Sequence, residues 1–199
     1  MVCLSNIFTR ILASSALTYP FQRCRKILEK PKLPFKQGQL MNLPNNLVAV
    51  VVVRHGDYDD VGEELTIPGK RKMETFAEKL RERLAGFAPE DILILHSPEI
   101  RARKSAEVIR SMFPSSNINW AGVLCCENYR DVTRDAVITL ASMITEKIRV
   151  VVCVTHDTAT SGLMNAFASF TGKNFPPERS SYGHGFLLTI ATGEILRIP

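Results

Sequence analysis

Two stretches restrict the fold more than any others: Leu47–Val53, ending in five valines and one alanine, and Val150–Thr155, reading VVVCVT. Both are continuous β-branched runs, too short for a buried helix and without the polar alternation of a half-exposed strand. A strand with no polar face must be covered on both sides, which is the situation of a parallel sheet packed between helices.

The intervening chain fits that frame. Pro68 to about Phe87 repeats apolar residues at helical spacing, with Met73, Phe76, Ala77, Leu80, Leu84 and Phe87 on one face. Asp91–Ser97 (DILILHS) is a second strand. Ser97-Pro98-Glu99 then has the order of a cap, a first-turn proline and an acid, so a helix is expected there, burying Ala102, Ala106, Ile109 and Phe113. INWAGVLC, starting at Ile118, is expected to be a third strand and Asp131–Lys147 a helix. Ala159, Leu163, Ala166, Phe167 and Phe170 mark the helix after the fourth strand, and GFLLTIATGEILRI closes the chain as a hairpin around Thr192-Gly193. Strands alternating with helices predict an α/β three-layer sandwich, its central sheet largely parallel and covered on both faces by helices.

Sheets of this kind bind ligands beyond the carboxyl ends of their strands. The residues just past those ends are therefore read as one group. They are Arg54, His55, Gly56 and Asp57; His96 and Ser97, with Arg101 a turn later; Cys125, Cys126 and Glu127; and Thr155, His156 and Asp157. An arginine fork matches phosphate oxygens, and two from separate strands can clamp one phosphate. A neutral imidazole is a competent nucleophile toward phosphorus. The glycine beside His55 admits close backbone approach. A carbonyl there could accept one ring N–H and fix the tautomer. A helix opening after His156 would direct its positive end at the same anion.

Charge separates the chain into two parts. Residues 1–45 hold seven of the 25 basic residues and one of the 20 acidic ones, leaving 18 basic and 19 acidic residues in 46–199. The overall charge of +5 thus belongs to the N-terminal segment, and the near-neutral remainder argues against a nucleic-acid partner. Three readings of residues 1–45 stand open: an organelle-targeting presequence, a surface arm, or a non-native extension ahead of a start at Met41. The catalytic domain is expected over 46–199, in the cytoplasm, or in mitochondria if residues 1–40 act as a presequence. No run of 18 apolar residues suggests an integral membrane span. Five cysteines without C-x-x-C spacing suit a reducing compartment, with Cys153 read as a small buried hydrophobe and Cys125 and Cys126 as packing.

The motifs VVVRHGD, LTIPG (Leu65–Gly69), SPEIRARKSAEVI (Ser97–Ile109) and VVCVTHD (Val151–Asp157) resemble, in that order, the histidine phosphatase superfamily with its phosphoglycerate-mutase-like fold. The short chain and the R-H-G-D form are most similar to its small phosphohistidine phosphatase members. The resemblance implies that His55 is the nucleophile that becomes phosphorylated. It further implies that Arg54 and Arg101 bind the phosphate and that His156 contacts the phosphoryl group and stabilises its transition state. No metal or other cofactor is implied, because Arg54, Arg101 and His156 supply the positive charge. The substrate would be a phosphorylated small molecule or a phosphoprotein. Glu127 is the expected general acid, with Asp57 and Asp131 as rivals and Asp131 also readable as a helix cap. Asp157 departs from the small or apolar residues usual after the second histidine. A catalytically weak relative that binds a phosphorylated partner is the alternative.

Overall fold

The computed structural model describes residues 43–125 and 134–199. The expected presequence, arm or extension lies outside them except for residues 43–45. Among the described residues a six-stranded sheet is flanked by four α-helices. The strands are β1 (Ala49–Arg54), β2 (Ile92–His96), β3 (Asn117–Trp120), β4 (Val150–Thr155), β5 (Gly185–Thr189) and β6 (Glu194–Ile198). The helices are α1 (Ile67–Arg83), α2 (Ile100–Met112), α3 (Arg134–Ala141) and α4 (Asp157–Ser169). The sheet order is β3-β2-β4-β1-β5-β6. The first four strands are mutually parallel and the β5-β6 hairpin is antiparallel, so the sheet is mixed with a parallel centre.

The valine runs occupy the two central strands, and every residue from Val50 to Val53 and from Val150 to Val154 is fully buried. Alternate side chains serve opposite layers. Val51, Val53, Val152 and Val154 pack with Met73, Phe76 and Leu80 of α1 and Ala106 and Ile109 of α2. Val50, Val52, Val151 and Cys153 pack with Val137 and Leu140 of α3 and Leu163, Met164 and Phe167 of α4. The three-layer sandwich expected from the sequence is the architecture observed.

Three local expectations are corrected. The third strand ends at Trp120, and Gly122–Leu124 form a 3-10 turn. Its residues are mostly exposed, because β3 is a sheet edge, and apolar composition alone did not reveal that. The helix expected over Asp131–Lys147 ends at Ala141. Ile144 and Ile148 still pack on the core, but from the irregular segment that leads into β4. Helix α2 begins at Ile100, and Ser97 does not cap it, for a reason that belongs to the site. Among the described residues no helix is long and apolar enough to cross a membrane.

Candidate active site

The sheet register brings the two histidines together. Arg54 lies opposite Thr155 at the ends of β1 and β4, so the next residue of each strand, His55 and His156, leaves the same edge. The His55 N–H donates to the Thr155 carbonyl at 3.0 Å, and the ring centroids are 5.1 Å apart. On the other side of β4, β2 delivers Ser97, whose N–H donates to Val154 O at 3.1 Å.

His55 is buried, and its Nδ1 donates to the Gly56 carbonyl at 2.8 Å. A carbonyl can only accept, so Nδ1 carries the proton and the lone pair lies on Nε2. Burial, opposed by that hydrogen bond and reinforced by Arg101 and Arg54, lowers the His55 pKa to about 4. The ring is therefore neutral and nucleophilic at ordinary pH. Gly56 is required by space: a Cβ there would meet the Gly69 carbonyl at 2.8 Å and the Met73 side chain at 2.9 Å. Gly69 in turn lies against Asp57, leaving no room for a side chain. These two glycines let the turn after β1 sit directly on the start of α1. Thr66 caps that helix by accepting from Gly69 N–H at 3.0 Å.

Of the basic cluster on α2, Arg101 is 16% exposed at its side chain, against 51% for Arg103 and 35% for Lys104. Arg101 is therefore the inward residue of the three. Its guanidinium lies 4.5 Å from the Tyr58 ring centroid, and Tyr58 stands edge-on to His55 at 5.3 Å. Arg54 lies 3.8 Å from the Tyr182 centroid and donates to Ser180 O at 2.7 Å. Two tyrosines thus wall the site, each stacked on one arginine. Ser105 ties the halves together: its Oγ accepts from Gly56 N–H at 2.9 Å and donates to Arg101 O at 2.7 Å.

Both arginines already face carboxylates. Arg54 Nη1 is 3.4 Å from Asp157 Oδ1. Arg101 pairs through Nη2 with Glu99 and lies 3.5 Å from Glu63 through Nη1. Glu63 reaches it from a loop in which it adopts φ 56°, the conformation of a tight turn held by Asp59.

His156 shares a 2.9 Å hydrogen bond between its Nε2 and Ser97 Oγ, which also accepts from Glu99 N–H at 3.3 Å. Ser97 therefore links the two strand ends instead of capping α2. Burial, then the neighbouring His55, Arg101 and Arg54, lowers the His156 pKa to about 3. With its pKa so lowered the ring is neutral near pH 7, and its 3.8 Å approach to Glu99 is no ion pair.

Arg54, His55, Arg101 and His156, the expected site residues, thus converge. Glu127, the expected acid, lies outside the described residues, as do its rival Asp131 and Cys126. Asp57 is turned to its own backbone, accepting from Tyr58 N–H at 3.1 Å. His96 donates to Ser97 O at 2.7 Å and is structural. Cys153 is fully buried, its thiol pushed up to about 12 by desolvation. Sequence reasoning missed Glu63, Glu99, Tyr58 and Tyr182 as site residues. It also passed over Ser105, although Ser105 lies in the SPEIRARKSAEVI stretch, four residues after Arg101.

No family model and no curated protein matches the chain in sequence. Solved structures match in fold. A SixA from Agrobacterium tumefaciens, provisionally described as a phosphohistidine phosphatase, superposes with a TM-score of 0.55 at 18% identity, covering 76% of this chain and 96% of that one. A SixA of the same provisional description from Nakamurella multipartitia gives 0.53 at 15% identity, covering 75% and 92%. The protein histidine phosphatase SixA complexed with tungstate gives 0.52 at 18% identity, covering 75% and 93%. At these identities the likeness is one of fold.

Proposed function

We propose that residues 46–199 are a phosphatase of the histidine phosphatase type, acting through a phosphohistidine on His55. The observation that carries the reading is the state of His55: buried, neutral, with its proton on Nδ1 and Nε2 left to attack, beside two arginines and a second histidine. The fold shared with SixA structures supports it. In the first step Nε2 bonds to phosphorus and the ester oxygen departs. In the second, water attacks phosphorus and the P–N bond breaks, returning its electron pair to Nε2. Arg54 and Arg101 hold the equatorial oxygens, and a fixed guanidinium costs no reorganisation as charge redistributes. His156, neutral before binding, donates a hydrogen bond to the phosphoryl group or takes up a proton with it. The proposal assigns the charge to the arginines and not to a metal ion. The substrate is a phosphorylated small molecule or a phosphorylated protein side chain.

A second reading, a weakly catalytic module that binds a phosphorylated partner, is favoured by one observation: both arginines are already engaged by Asp157, Glu99 and Glu63. Hydrolysis of an aryl phosphate in the presence of a chelator separates the two. The phosphatase reading expects turnover in the wild type and none in His55→Ala. A folded wild type that binds inorganic phosphate without turnover would favour the module.

A further inference from the structure

On the phosphatase reading, we propose that Glu99 is the proton donor to the leaving group and the base for the attacking water. Among the described residues three carboxylates approach the site, and of these Asp157 pairs with Arg54 and Glu63 with Arg101. Glu99 reaches two groups assigned to the phosphate: it pairs with Arg101 through Oε2 and stands 3.8 Å from His156 Nε2 through Oε1. A carboxylate between two phosphate-binding groups occupies ground that phosphate oxygens will claim. When substrate takes Arg101, Glu99 is released beside a phosphate dianion, and a carboxyl next to a like charge holds its proton more tightly. An S–H donated by Cys125 at 3.4 Å adds a weak contact.

The residue's anchorage suits the role. Its N–H is bound to Ser97 Oγ, and its carbonyl accepts from the N–H groups of Ala102 and Arg103 at 3.1 and 3.0 Å. The backbone is thus fixed, and the side chain keeps 21% exposure.

The proton balance closes over the two steps. As the P–Nε2 bond forms and the ester P–O bond breaks, the departing oxygen takes the proton of the Glu99 carboxyl. Water then attacks phosphorus, gives one proton to the Glu99 carboxylate, and the P–N bond breaks toward Nε2. Phosphate leaves, with His55 neutral and Glu99 protonated again.

The test compares an aryl phosphate, whose leaving group needs no proton, with an alkyl phosphate, whose leaving group does. The enzymes are wild type, Glu99→Gln, Glu127→Gln and His55→Ala, each checked for folding by thermal melt. Glu99→Gln is expected to lower kcat/KM, which reports the phosphorylation step, by about 10²–10⁴-fold on the alkyl ester, the usual worth of general acid catalysis, and far less on the aryl ester, while its role as base slows hydrolysis of the common phosphoenzyme and lowers kcat on both. Equal loss of kcat/KM on both esters overturns the assignment. So does a lower KM at unchanged kcat, which would make Glu99 only a competitor for Arg101. Selective loss in Glu127→Gln and not in Glu99→Gln overturns it as well. Turnover surviving in His55→Ala overturns the phosphatase reading itself, and Glu99's role with it.

Discussion

The carbonyl oxygen of Gly56 lies 2.8 Å from Nδ1 of the preceding residue, His55, so the nucleophile's tautomer is set by its own chain neighbour. The carbonyl can be there only because Gly56 carries no side chain. Its N–H is held in turn by Ser105 on α2, the helix that supplies Arg101. Tautomer, glycine and arginine are thus one construction.

Gly56→Ala should therefore damage stability and catalysis together. The added methyl would press on the Gly69 carbonyl and Met73, and overpacking of this kind costs about 1–3 kcal/mol. Urea denaturation and aryl phosphate kinetics on one preparation check it. Wild-type stability in the variant would show that the turn yields freely.

Ser105→Ala is expected to leave the buried Gly56 N–H unpaired, at a cost of about 1–3 kcal/mol. Ser105→Thr keeps the hydroxyl and should restore part of both stability and kcat. A Ser105→Ala protein indistinguishable from wild type in denaturation and kinetics would remove Ser105 from the account.

Asp157→Asn should tighten inhibition by inorganic phosphate. Asp157 stands 3.4 Å from Arg54 and competes with an incoming anion. Removing a partly exposed ion pair is worth up to about 1 kcal/mol, or roughly fivefold in the inhibition constant. Weaker inhibition would mean that Asp157 orients Arg54 and does not oppose the ligand.

The two histidines predict a pH dependence with a definite sign. Burial comes first among the causes that lower His55 from 6.5 to about 4 and His156 from 6.5 to about 3. Below pH 6.5 the unfolded chain takes up protons that the folded chain refuses. Stability is therefore full above about 6.5 and declines as pH falls toward 4 for His55 and toward 3 for His156. Imidazole resonances followed by NMR should show neither ring titrating between pH 7 and 5. A midpoint near 6.5 for His55 would mean a hydrated, unburied ring.

What was legible in the sequence follows from the physics of each element. The valine runs announced strands buried on both faces, and the parallel centre followed from that. Arg54, His55 and His156 were legible because strand ends place them on one edge, and Arg101 because it lies a turn into the helix after β2, within a stretch that resembles the family's motif. Ser97 was misread as a cap, because the serine that would cap a helix is also the right length to reach His156 across the sheet. Glu99 and Glu63 were not legible as site residues. Glutamates at a helix start and in a loop are ordinary surface residues until packing turns them onto Arg101. The strand expected over INWAGVLC ended at Trp120 because Ala121 and Leu124 bury their side chains in the core from the 3-10 turn and not from the sheet edge.

The most direct test of the central claim is to trap the phosphoenzyme. The protein is mixed with aryl phosphate, quenched in alkali, under which phosphohistidine survives, and its peptides are mapped by mass spectrometry. The account predicts a phosphoryl group on His55 in the wild type and none on any residue in His55→Ala, which should also have lost turnover by about 10⁴-fold or more. A phosphoryl group on another residue, or turnover that persists in His55→Ala, would contradict it.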